Sequence, residues 1–73
     1  MRTRMIEALR AHYLGEIAKH KMNAEVFLAN PVGVGEHIDI METLSAEIGK
    51  IADYEDRLST LDKFSKVNAD IKI

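Results

Sequence analysis

Between Thr3 and Ala29 the chain has no proline and a single glycine, and Ile6, Leu9, Tyr13, Ile17, His20, Ala24 and Leu28 recur at spacings of three and four. Such spacing lines one face of an α-helix. The pattern predicts a helix over residues 3–29. At 1.5 Å per residue it would be roughly 40 Å long, too long to persist on intrinsic propensity and so dependent on a packed face. Asn30-Pro31 should end it, because proline disfavours the α conformation in the residue before it. Gly33 and Gly35 then give the backbone freedom to reverse, which makes residues 30–36 a loop.

A second stripe follows: Met41, Leu44, Ile48, Ile51, then Tyr54 or Glu55, Leu58, Leu61 and Phe64. It predicts a helix over residues 37–64, with Glu36, Asp39 and Glu42 in its opening turns, where negative charge complements the helix dipole. Gly49 within it costs about 1 kcal/mol relative to alanine, so the site is either tolerated or marks a close approach of backbones, and close approach is the expectation. If the helices fold back antiparallel, facing residues should have position numbers with a near-constant sum. Pairing Ile6 with Leu61, Leu9 with Leu58, Tyr13 with Tyr54, Ile17 with Ile51, Ala24 with Leu44 and Leu28 with Ile40 gives sums of 67 or 68 throughout. Two separately read stripes in one register predict an all-α fold, an antiparallel helical hairpin forming a single domain over residues 1–73.

Helix 1 carries a further apolar row, Leu14, Ala18, Met22 and Val26, rotated from the first by about 60 to 100 degrees on a 3.6-residue wheel. One partner helix cannot cover both rows. The surplus predicts association into a helix bundle with further copies, or docking on another protein. After Phe64 the pattern changes: Val67, Ala69, Ile71 and Ile73 alternate with polar residues, the period of a strand. Residues 65–73 therefore read as an extended tail, or as a short strand through which Val67 and Ile71 would pair with another molecule.

Length and composition narrow the functional classes. A chain of 73 residues buries a small fraction of its surface, so a partner or further copies should complete its core. With no cysteine, disulfides, thiolate zinc sites and a cysteine nucleophile are excluded. No run reaches the roughly 18 to 20 apolar residues that span a bilayer, and the expectation is a soluble protein with no membrane partner. The net charge of −2 conceals opposed halves. Residues 1–30 set Arg2, Arg4, Arg10, Lys19 and Lys21 against Glu7, Glu16 and Glu25. Residues 36–64 set eight acidic residues against Lys50, Arg57 and Lys63. That asymmetry favours pairing of the two helices, and the absence of a basic stripe argues against nucleic acid as the main ligand.

Catalysis needs a concave site with several converging polar groups, which paired helices offer poorly, so no catalytic residue is assigned and the expectation is a non-enzyme. The titratable residues nearest the stripes are His12, Glu16, His20, Glu47 and Glu55, and the register places His12 near Glu55 and His20 near Glu47. A dimer could gather Glu16, His20 and Glu47 from each chain about a metal. The Glu16 to His20 spacing of four, however, is not the Glu-x-x-His spacing of di-iron bundles, and no second motif is present. Ordinary ion pairs at the helix interface are the expectation, with no metal and no cofactor. Gly33-Val34-Gly35 lies beside a helix start, as phosphate loops do, yet no strand precedes it, no lysine follows, and Glu36 would repel an anion. Asn30, Pro31, Gly33 and Gly35 are thus read as turn residues. Ser45, Ser59 and Ser65 have no histidine at a facing position.

The stretch Asn30-Pro31-Val32-Gly33-Val34-Gly35-Glu36-His37, then Asp39-Ile40, and later Lys50-Ile51-Ala52-Asp53-Tyr54-Glu55-Asp56-Arg57-Leu58, resembles small two-helix proteins encoded by tailed, T-even-like phages of marine bacteria and cyanobacteria. The likeness covers residues 5 to 64 and leaves the alternating tail outside. It implies a viral origin and two helices about a glycine-rich turn, and it transfers no site. The resulting expectation is a self-associating structural or assembly component of a phage particle, located in the host cytoplasm or the virion. The alternatives are a regulator that binds a host or phage enzyme and a metal-binding bundle.

Overall fold

A computed structural model describes residues 1–29 and 39–70. Within them lie two helices, α1 (Arg2–Ala29) and α2 (Ile40–Asp70), and no strand. At 28 and 31 residues they are ~42 and ~46 Å long. They pack antiparallel as a helical hairpin: the Arg2 guanidinium donates to the Phe64 carbonyl at 3.3 Å at one end, and Asn23 reaches Glu47 at 3.1 Å toward the other.

The boundaries follow from local chemistry. α1 ends at Ala29, one residue ahead of Asn30-Pro31. α2 starts at Ile40, later than the expected residue 37, because Asp39 caps it. The Asp39 carboxylate accepts from the Glu42 amide at 3.0 Å, and its own carbonyl accepts from the Thr43 amide at 2.9 Å. That is N-cap geometry, and it leaves Asp39 itself outside the helix. Glu36, His37 and the turn residues Asn30, Pro31, Gly33 and Gly35 lie outside the described residues. At the other end, the expected extended tail or strand from residue 65 is corrected: α2 runs on to Asp70. No glycine or proline interrupts Ser65 to Asp70, and the alternation that suggested a strand also contains the helical spacing Phe64, Val67, Ile71. Val67 thus has helical backbone, and Ile71 lies outside the described residues.

The packed seam has a spacing of its own. Tyr13 meets Tyr54 with ring centroids 5.9 Å apart, and His20 meets Glu47 at 2.7 Å. Stepping by four and three from these contacts gives Ile6, Arg10, Tyr13, Ile17, His20, Ala24 and Phe27 on α1. Opposite them on α2 lie Leu61, Leu58, Tyr54, Ile51, Glu47, Leu44 and Ile40. Every member except Arg10 is buried or half-buried. This is a strict heptad seam, the period of a left-handed antiparallel coiled coil. It corrects five assignments. Leu9, Leu28, Met41, Ile48 and Phe64 are 40%, 61%, 73%, 52% and 58% exposed. Arg10 rather than Leu9 stands opposite Leu58, the seam positions beside the next three belong to Phe27, Ile40 and Glu47, and Phe64 flanks the seam beyond Leu61.

Among the described residues, only Ile17, Ala24 and His20 are buried, and none of their side chains is fully enclosed. The helices' opposite charges meet at the edge, where Arg10 pairs with Asp62 at 3.1 Å. Both partners are over 40% exposed, so this contact contributes at most about 1 kcal/mol.

Gly49 does not mark a close approach within the chain, since a Cβ added there meets nothing within 4 Å. Gly49→Ala should therefore stabilise the hairpin by about 1 kcal/mol, and Asp39→Ala should destabilise it by about 1 kcal/mol. Urea unfolding followed by circular dichroism at fixed protein concentration measures both. A neutral or destabilising Gly49→Ala would mean that another molecule covers the outer side of α2.

Candidate interaction surface

The middle of the seam is polar. Glu47 Oε1 accepts from His20 Nδ1 at 2.7 Å and from Asn23 Nδ2 at 3.1 Å. His20 Nε2 faces Glu16 Oε2 at 3.4 Å, so each ring nitrogen looks onto a carboxylate, one from each helix. Glu16 is also held by Lys19 at 2.8 Å. No buried side-chain polar atom among the described residues lacks a partner. The hydrogen bonds from His20 and Asn23 hold the Glu47 carboxyl below its ordinary range, against the opposing pull of burial. The hydrogen bond from Lys19 does the same for Glu16, and it raises Lys19 in turn.

Tyr54 floors this layer. Its ring stacks on His20 at 6.1 Å and 11°, and the Arg57 guanidinium sits 5.4 Å above its centroid. His12 meets the edge of Tyr54 at 6.2 Å. The expected His12–Glu55 pair is not formed: His12 lies on the Tyr54 side of the seam, whereas Glu55 flanks the opposite side with Leu14 and Leu58. The His20–Glu47 pair forms as the register predicts. A network satisfied at every atom at the centre of a helix pair resembles the polar layers that fix register in coiled coils. Among the described residues, no three His, Cys, Asp or Glu side chains converge so as to hold a metal.

The remaining candidate is apolar surface. Leu14, Met22 and Val26 are 45%, 64% and 55% exposed, and Ala18 is exposed beside them. Successive members of this row are four residues apart, and each step turns 40° about α1, so Val26 lies about 120° around from Leu14. Leu14, Ala18 and Met22 border a groove that also takes in Leu28, Ile48 and Ile51, while Val26 lies beyond it. A 3.6-residue stripe places Ile48 and Met41 in the core and so hides the contribution of Ile48 to this groove. A 3.5-residue spacing, rather than 3.6, is the signal that separates them from the core. Neither helix is long and apolar enough, among the described residues, to cross a membrane. No protein-family model, curated protein or solved structure matches the chain.

The polar layer can be tested by pH. Glu47, with its folded value held below 4.5, stabilises the hairpin above that pH and loses the contribution as pH falls through the lower folded value. Glu47→Gln should cost on the order of 1–2 kcal/mol near neutral pH, and the gap between wild type and variant should narrow as pH falls below the ordinary carboxylate range. A gap independent of pH would show that the carboxylate charge plays no part.

Proposed function

We propose that this protein is a non-enzymatic interaction module that assembles with further copies of itself through the apolar surface its hairpin leaves uncovered. One observation carries the reading: the buried apolar core is Ile17 and Ala24, while Leu14, Met22, Val26, Leu28, Met41 and Ile48 all stand at least 45% exposed. This much exposed apolar side chain, part of it gathered along one groove, on a chain too small to cover it, is the property of a subunit rather than of a finished monomer. The polar groups that do converge, His20, Glu47 and Asn23, satisfy one another inside the seam and leave no open face toward a substrate, which supports a structural role for them. The resemblance to two-helix proteins of tailed phages supports placing the module among the structural or assembly components of a phage particle, in the host cytoplasm or the virion.

Light scattering on a size-exclusion column over a tenfold concentration range tests the central claim. The expected result is a mass of two or more 8.2 kDa chains at the higher concentrations. A constant single-chain mass would overturn self-association.

The outer side of α2 favours a second reading, a regulator that binds a basic surface on a larger enzyme. Glu42, Asp53 and Asp56 are exposed there, and of these Asp53 is neutralised by Arg57 at 3.2 Å. On that reading, capture of the enzyme weakens with added salt and is lost in the Asp53→Asn, Asp56→Asn double variant. Unchanged capture in the variant would remove it.

A further inference from the structure

Resting on the self-association reading, we infer that the groove flanked by Lys21 and Glu55 seats one second copy of this chain, laid antiparallel so that Lys21 of each copy meets Glu55 of the other. The two sides of the seam differ in what they offer. On one side, Glu16 is joined to Lys19 and Arg57 to Asp53, so most of the charge is paired within the chain; Lys50 is left over, and the exposed Leu9 and Phe64 lie on the same side. On the other, the seam-flanking positions are Glu7, Leu14, Lys21 and Leu28 on α1 and Met41, Ile48, Glu55 and Asp62 on α2, acidic at one end and apolar at the other. Of their outward neighbours, Ala18, Ser45, Ala52 and Ser59 are small, which lets another backbone come close, and Glu25 is the exception. Added to the seam, this side gives each helix the broader apolar face typical of a four-helix bundle.

Charge selects the occupant. Lys21, Glu25, Glu55 and Lys63 border this groove and none forms an ion pair among the described residues; of these, Lys21 and Glu55 occupy the seam-flanking positions. The seam register places Ile48 level with Lys21, and Glu55 level with Leu14, about 10 Å further along the axis. A two-fold axis between these levels, perpendicular to the helices, exchanges them. Each of the two resulting layers then holds Lys21 and Ile48 from one copy with Leu14 and Glu55 from the other. α1 of one copy then lies over α1 of the other, so the long Lys21 and Glu55 side chains reach each other diagonally across the layer, Leu14 and Ile48 pack on either side of them, and symmetry repeats the layer. A parallel arrangement would instead set Lys21 level with its own copy and Glu7 and Asp62 level with theirs. The area agrees with a dimer: a face ~42 Å long and 17 Å wide offers ~700 Å² per copy, close to the ~800 Å² per partner of a standard specific interface.

Sedimentation equilibrium on the full chain, with circular dichroism as the check on folding, tests this by charge exchange. Lys21→Glu and Glu55→Lys should each weaken dimerisation about tenfold or more, since every substitution spoils two symmetric contacts. The Lys21→Glu, Glu55→Lys double variant should recover to within about threefold of wild type. Ile48→Asp, at a position half open to solvent, should abolish the dimer and leave the helix signal intact. If wild type associates but these variants associate as well as it does, this interface is wrong and self-association stands on another surface. If the single variants weaken binding and the double variant does not recover, the antiparallel pairing is wrong. A monomeric wild type would overturn both readings together.

Discussion

Two helices lying side by side share a line rather than a volume, and most of what this protein shows follows from that. Along the line, side chains can be shielded from water only at positions that return to the partner every three or four residues, so among the described residues the hairpin has a seam of seven layers and almost nothing buried beyond it. Ridge-and-groove packing at this spacing forces the helices into a shallow supercoil. It also forces every remaining apolar residue outward. The exposed Leu28, Met41 and Ile48 are therefore a geometric outcome of a two-helix fold with a wide apolar arc on each helix.

The seam places a charged and hydrogen-bonding layer where a leucine would bury more apolar area. Such a layer contributes little net stability compared with a hydrophobic one, because both partners give up water to form it. What it does supply is discrimination. A slip of one heptad would set His20 against Tyr54 or Ile40 and Glu47 against Tyr13 or Phe27, stranding the carboxylate among apolar groups. Asn23, donating to the same carboxylate, narrows the choice further. The network is thus best understood as the element that makes one antiparallel register the stable one.

The hairpin and its register were legible in the sequence because both stripes are long and a single constraint relates them. Tyr13 facing Tyr54 and His20 facing Glu47 follow from the position of the reversal and an equal rise per residue in the two helices. The exact membership of the seam was not legible on a 3.6-residue wheel. That wheel drifts by ~20° per heptad from a supercoiled seam, enough over three heptads to exchange Phe27 for Leu28 and Ile40 for Met41. Glu47 was read as an edge residue because a carboxylate is expensive to bury, and only the converging His20 and Asn23 make it affordable. The extension of α2 past Phe64 was obscured for a different reason: a short segment with apolar residues at every second position also satisfies the helical spacing of four.

One consequence of the antiparallel seam concerns mechanical load. Arg2 and Phe64 lie side by side at the open end of the hairpin, so a force pulling α1 and α2 apart there acts across the layers rather than along them. The layers would then open one at a time, as in a zipper, beginning with Ile6 and Leu61. Resistance would be low through the exposed Arg10 layer and would rise at the interlocked rings of Tyr13, Tyr54 and His20. Loaded along the helix axes, the same contacts would have to shear together. The hairpin is therefore a mechanically anisotropic element, compliant when its open end is spread and stiff when it is stretched lengthwise.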